Sequence, residues 1–319
     1  MWAYIVRRVL QGIFILFIVT GACFALTRLS SDPMAQYSSV QRMSEEDRAR
    51  IRASLGLDRP LYVQYVRWLG LALEGDLGQS LFSKQPVLKL IRERLPMTII
   101  LMTTAQVVIV IFSLALGTLS AVKQYSWFDN LVSSFSFIGY SMPIFFIALM
   151  LMLIFAVKFK AWGLPYFPTG ADIWDFKDPA AMAVHLVLPV SALVIIQTAA
   201  YSRYLRSSML EVLGLDYIRA ARAKGLAKNK VIIKHALRNA ALPFITILGL
   251  DIPFLLGGAI VTESIFAWPG MGRLFWEYAQ RGDYPVVMGV LLLVSTAVIF
   301  FTIIVDVAYT FIDPRIRLS

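Results

Sequence analysis

Six apolar runs of membrane length constrain this 319-residue chain more than any other feature. A hydrocarbon core about 30 Å thick takes roughly 20 apolar residues as a helix. Backbone polar groups in lipid must be satisfied within the segment, so such runs become helices. The runs are Val9–Leu26, Met97–Ala121, Leu131–Val157, Leu186–Tyr201, Pro243–Val261 and Pro285–Phe311. The fourth is short and carries Pro189, read here as first-turn proline. The fold class is therefore an all-α membrane protein with six transmembrane helices. Composition agrees: 58% of residues are hydrophobic and 16% charged, with mean hydropathy +0.70. A soluble domain is nearer one quarter charged.

Net charge is +10, but the cations lie between the apolar runs, which speaks for lipid headgroups and orientation rather than nucleic acid. With the N-terminus inside, the short inner segments hold 14 Lys/Arg and the short outer loops 5. Both termini are thus expected in the cytoplasm. Arg7 and Arg8 precede an apolar run too long for a signal-peptide core, which predicts an uncleaved first helix. Cys23 is the single cysteine, and His185 and His235 lie far apart, so neither a disulfide nor a metal site is expected.

The expected organisation is a cytoplasmic N-terminus and first helix over 1–29, an extracytoplasmic segment over 30–96, a five-helix core over 97–312 and a cytoplasmic tail over 313–319. In the outer segment, Ser44 with SEED forms a capping box for a helix that Gly56 closes. YVQYVRWLGLAL then places Tyr62, Tyr65, Val66, Leu69 and Leu73 on one helical face. Trp68, Trp162, Trp268 and Trp276 suit interfacial anchoring.

A lipid-embedded chain reverses with a short turn, yet 203–241 spans nearly forty residues with nine Lys/Arg. Asp216 can cap a helix over Tyr217–Lys224, and Gly225 suits the left-handed position that ends one. In the helix that follows, Lys230, Lys234 and His235/Arg238 line one side, and Val231, Ile232, Leu237 and Ala240 the other. Two short helices continuous with membrane helices make a rigid handle, and Ala220, Ala221 and Gly225 leave room for another backbone.

Arg219-Ala220-Ala221-x-x-x-Gly225 with Leu242-Pro243 resembles the EAA loop of binding-protein-dependent ABC importer permeases. The likeness runs through YIVRRVLQ, Ser31-Asp32-Pro33, LGLDRPLYVQY, GDLGQS, IRERLPMTI, DYIRAARAKGL, HALRNAALP, GGAIVTESIFAWPGMGRL and DPRIR, and is strongest to the oligopeptide/dipeptide/nickel branch. Arg219 stands where the general loop has glutamate.

The resemblance implies a type I importer architecture in which the chain pairs with a homologous permease to enclose a path. Two cytoplasmic ATPase subunits would grip the loop at Tyr217, Ile218, Arg219, Ala220, Ala221, Lys224, Gly225 and Leu226. A solute-binding protein would deliver peptide from outside, in a bacterial or archaeal cytoplasmic membrane. No GxxxxGK[ST] loop is present, so ATP and Mg are expected on the partners and this chain is expected not to be an enzyme. Nickel chelate or oligosaccharide as cargo, or a secondary transporter, are the alternatives. Charged groups at membrane depth are functional candidates: Asp251, followed by Pro253 and Gly257-Gly258, is expected to line the path, and Glu263 to sit at a gate or partner contact. Asp306 is expected to pair with an inner arginine.

Overall fold

The computed structural model describes residues 2–30, 46, 50, 58–170, 178–256 and 260–312. Among these residues the regular structure is helical, with one isolated bridge between Gln79 and Pro86. Six helices are long and apolar enough to cross a membrane: Val6–Leu29, Val87–Val122, Ile144–Ala161, Pro179–Leu213, Lys228–Gly249 and Tyr284–Val305. The SEED helix expected at Ser44–Gly56, Ser31-Asp32-Pro33, Gly257-Gly258 and the tail 313–319 fall outside the described residues, as does the Asp306 side chain.

Helix α1 (Trp2–Ser30) is apolar all round and largely exposed, as befits a helix whose neighbour is lipid. It packs on the last helix where Gly12 admits Ile299; a Cβ there would stand 2.5 Å from Ile299 Cγ2. Helix α2 (Leu61–Leu73) lies against α1. Its inward face is Tyr65 with Trp68 and Leu69, joined to Phe24 and Met288. Tyr62, Val66 and Leu73, expected on that face, point outward. The face is rotated because the Tyr65 hydroxyl meets Thr20 Oγ1 at 2.8 Å, which selects the Tyr65 side of the helix.

Helix α3 (Val87–Val122) begins ten residues before the expected Met97 and carries Pro96 inside. Its partner α6 (Pro179–Leu213) is the longest of its contacts and corrects the fourth span most. That helix is not short: Asp178 caps it by accepting the Ala180 N–H at 2.9 Å, so Pro189 lies in its third turn, not its first. The apolar run marked only its middle, because both ends carry polar residues. The two helices meet through small side chains at four-residue spacing, Ser113, Gly117 and Ala121, all buried. A Cβ on Gly117 would come within 2.8 Å of the Ser202 carbonyl.

The third apolar run is two helices, α4 (Trp127–Ser141) and α5 (Ile144–Ala161). The sterics of Pro143 keep Met142 extended, at φ −85° and ψ 134°, and this breaks the run. The long insert begins as the end of α6 and continues into two further helices. Helix α7 is Asp216–Ala223, and α8 comprises Lys228–Lys230, the π-helical Val231–Leu237 and Arg238–Leu256. Pro243 therefore lies within α8 and does not open it. Helices α9 (Ile260–Ile265) and α10 (Met271–Gln280) precede α11 (Tyr284–Ile312).

One core cluster runs the length of the molecule, from Trp268 through Leu101, Ile109, Leu205 and Met209 to Ile218 and Val231. A second joins Val87 and Ile91 to Met271, Leu274 and Val286. Trp268, expected at an interface, is 2% exposed and donates Nε1–H to the Met97 carbonyl at 3.0 Å. Trp162 and Trp276 remain exposed.

Candidate functional site

Helix α7 starts after Leu215, whose extended backbone (ψ 149°) turns the chain away from α6. Asp216 is the first helical residue and makes no cap, contrary to expectation; its carboxylate meets Arg219 Nη1 at 3.5 Å in solvent. The helix has two faces. Ile218 is fully buried and Ala221 nearly so, and both enter the long core cluster beside Leu205, Met209 and Val231. Arg219, Ala220, Arg222 and Lys224 face outward. Ala221, expected to leave room for another protein's backbone, instead packs on this chain's own bundle.

Gly225 ends the element at φ +75°, with the N–H donated to the Arg222 carbonyl at 2.9 Å. Nothing lies within 4 Å of where its Cβ would be, so the glycine serves backbone conformation rather than space. Leu226 is half-buried and returns the chain to the core. Tyr217 ties α7 to α8: its hydroxyl accepts from Asn239 Nδ2 at 2.7 Å. On α8, Val231, Ala236, Ala240 and Phe244 point inward while Lys230, Lys234 and Arg238 face out, as expected. The spacing of five and then four reflects the wide π turn, which keeps one face on the bundle. Behind α7 a cavity of about 740 Å³ opens between Val122, Gln124, Leu213, Arg222 and Lys228.

At this same end Arg206 of α6 holds Asp129 of α4, Nε to Oδ1 and Nη2 to Oδ2, each at 2.7 Å. Asp129 is 1% exposed and also accepts the Tyr125 N–H at 2.9 Å. The hydrogen-bonded Arg206 guanidinium holds its carboxyl below the usual carboxylate range. Sequence reasoning missed this pair, though Ser126-x-x-Asp129 is a readable capping signature; Ser126 Oγ accepts the Asp129 N–H.

Asp251 is half-buried on α8, and its Oδ2 accepts from the buried Tyr201 hydroxyl of α6. Glu263 is fully buried. Thr98 Oγ1 donates to its Oε1 at 2.8 Å, and the Arg273 N–H to its Oε2 at 3.0 Å. Thr98 Oγ1 also accepts the Met271 N–H at 2.7 Å. Burial pushes the Glu263 carboxyl up, partly offset by these donors. The carboxylate thus pins the 268–273 segment onto α3. Asp283 does similar work, also unforeseen: its Oδ2 takes Ser80 Oγ at 2.6 Å and the Phe82 N–H at 3.0 Å. Among the described residues no three His, Cys, Asp or Glu side chains gather as a metal ion requires.

An intrinsically helical membrane bundle with a basic, two-faced helical handle defines a multi-pass transport subunit. Residues 113–318 match the family model described as "Binding-protein-dependent transport system inner membrane component", and residues 1–102 match its N-terminal companion. The chain is 41% identical to the oligopeptide transport system permease protein AppB of Bacillus subtilis (strain 168), covering 99% of this chain and all of that one. It is 39% identical to the dipeptide transport system permease protein DppB of Escherichia coli (strain K12), covering 94% of each. A solved structure, "Crystal structure of an amino acid ABC transporter with histidines", shares the fold at TM-score 0.50 and 17% identity, over 69% of this chain and 92% of that one. The chain belongs to the binding-protein-dependent transport system inner membrane component family, and is an integral membrane permease subunit of an ABC importer.

Proposed function

We propose that this chain forms half of a path for peptides across a bacterial or archaeal cytoplasmic membrane, beside a homologous second permease. Two cytoplasmic ATPase subunits, which hold ATP and Mg, grip α7 and Gly225, and a solute-binding protein brings the peptide from the other side. The names of the oligopeptide and dipeptide relatives support the cargo. The excess of Lys/Arg in 203–241 supports the orientation, with both termini in the cytoplasm.

The observation that carries the reading is the two-faced α7. Its inner residues, Ile218 and Ala221, belong to the same core cluster as Leu101 and Trp268, near the far end of the bundle. Its outer residues, Arg219, Ala220, Arg222 and Lys224, are exposed and can meet a partner. Closely packed interiors transmit displacement rather than absorb it. A pull on the outer face therefore biases the whole bundle between two packings. Asp251 is the proposed path carboxylate; a peptide's ammonium group can exchange with the Tyr201 hydroxyl as its partner.

The test is ATP-driven uptake of labelled dipeptide by vesicles holding the whole complex. Replacing 216–225 with a Gly/Ser tether should abolish uptake while the permease pair still assembles. Normal uptake through the tether would overturn the reading.

A further inference from the structure

At the end of the bundle opposite α7, a cavity of about 440 Å³ opens between α1, α2 and the start of α11. Among the described residues four cations line it: Arg28, Arg59, Arg67 and Lys84. The one acid among the described residues of its wall, Asp76, already accepts the Gly78 N–H at 2.8 Å. Arg28 sits against two aromatic rings, its guanidinium carbon 4.3 Å from the Tyr284 ring centre and 5.2 Å from that of Phe24. These cation–π contacts satisfy no N–H. The Arg28 Nε and Nη1 are buried with no hydrogen-bond partner. Unpaired buried donors on a cation cost free energy unless an anion completes them.

The cavity does not end at its polar mouth. Leu77 also lines an apolar groove of about 570 Å³ between α3 and α11, walled by Leu88, Leu292, Thr296 and Phe300. Along α11 the two are continuous: Pro285 and Met288 line the first, and Leu292 and Thr296 extend the same helical stripe into the second. From Gly289 to Phe301 the groove follows about 18 Å of helix. That is a little over half the ~30 Å hydrocarbon thickness, the depth of one leaflet. Arg28 stands at the end of the span Val6–Leu29, with Trp68 beside it, at the level where headgroups lie.

We propose that this composite site binds one anionic phospholipid, its phosphate completing Arg28 and its acyl chain lying along α11. An acidic protein surface would match the cations but not a contiguous groove at membrane depth. A bound chain would bridge α1, α2, α3 and α11, adding to the Phe24–Tyr65–Met288 cluster that joins α1, α2 and α11 and to the Val87–Ile91–Val286 cluster that joins α3 to α11. The proposal rests on the chain spanning a membrane and is independent of cargo and of the role of α7.

Trp68 lies in the cavity wall and reports occupancy. The purified importer in nanodiscs is titrated with brominated phosphatidylglycerol or brominated phosphatidylcholine. The Trp68 signal is the difference between the parent and Trp68→Phe. Phosphatidylglycerol should quench it at lower mole fraction. Arg28→Gln should remove that preference, and the exposed pair Arg67→Gln/Lys84→Gln should weaken it about fivefold per charge. Thr296→Phe should weaken the lipid while leaving competition by soluble glycerol 3-phosphate unchanged. Equal quenching by the two lipids, or a preference surviving all three cation changes, overturns the proposal. Tight competition by glycerol 3-phosphate with Thr296→Phe silent would assign a free anion instead and overturn the lipid.

Discussion

Arg206 grips both carboxylate oxygens of Asp129, tying the α3–α4 turn to the end of α6 from which α7 departs. Planar two-point pairing is the strong form of this interaction. Asp129 is buried while Arg206 keeps about a quarter of its side chain in contact with solvent. Removing one partner leaves the other partly buried and uncompensated. Asp129→Asn should therefore destabilise the chain by about 3 kcal/mol, seen as a fall in Tm in detergent. The folded carboxyl lies below its usual range, so the pair contributes fully above the unfolded value of about 4. The contribution should fade as pH falls through the lowered value, and a parent and variant whose Tm values differ equally at pH 7 and pH 3 would contradict the assignment.

Glu263 predicts the opposite pH trend. Burial raises its pKa, so its favourable contribution is full below the unfolded value and is lost as pH rises through the folded one. Glu263→Gln keeps an acceptor for Thr98 and should flatten the fall of Tm with rising pH. Gly270→Ala should be worse than Glu263→Gln: a Cβ there would stand 2.3 Å from the Glu263 carboxyl, and a destabilisation of about 1–3 kcal/mol is expected. Thermal unfolding followed from pH 4 upward reads both variants.

How much of this was legible beforehand differs by element. The helical class, the six spans, the Gly225 turn and the outward cations of α8 follow from composition and period, which act locally. Span ends were less legible: α6 runs past its apolar stretch at both ends, because a capped helix with basic residues such as Arg203 and Arg206 stays helical once it leaves hydrocarbon. Asp129, Thr98 and Asp283 were missed since each is completed by a residue 77, 165 or 203 positions away, which no local pattern reveals. Ala221 and Glu263 looked available for partners, and only packing shows them enclosed by their own chain.

The Gly225 turn gives a graded series. Asn tolerates a left-handed backbone, and Ala costs about 1 kcal/mol there without a clash. Proline fixes φ near −65° and removes the N–H given to Arg222. Uptake should fall in the order Gly, Asn, Ala, Pro, with Gly225→Pro reaching the membrane but inactive. A flat series would show that the angle of this turn does not matter to transport.

Ala220 and Ala221 separate the two faces of α7. Ala220 is exposed, so Ala220→Trp should leave Tm unchanged while reducing ATPase binding and uptake. Ala221 faces Ile218 and the core, so Ala221→Trp should lower Tm by overpacking about 1–3 kcal/mol, whether or not a partner is present. Pull-down with the ATPase subunits, alongside unfolding of the isolated permease, distinguishes them. Equal loss of Tm in both variants would remove the outward face from the account.

Tyr201 and Asp251 offer the test of the path. If the carboxylate receives the peptide ammonium, Asp251→Asn should depress uptake of peptides with a free amino terminus by about tenfold, the scale of one charge-assisted hydrogen bond. N-acetylated peptides lack that charge and should be affected far less. Tyr201→Phe removes the hydroxyl that Asp251 accepts from but keeps the ring against Phe244. It removes that competing donor, so it should change free and blocked peptides differently as well, in the direction opposite to Asp251→Asn. Competition of both peptide classes for uptake in vesicles reads the ratio directly. If each variant shifts both classes by the same factor, the pair only fastens α6 to α8, and the charge at this depth belongs to the scaffold rather than the cargo.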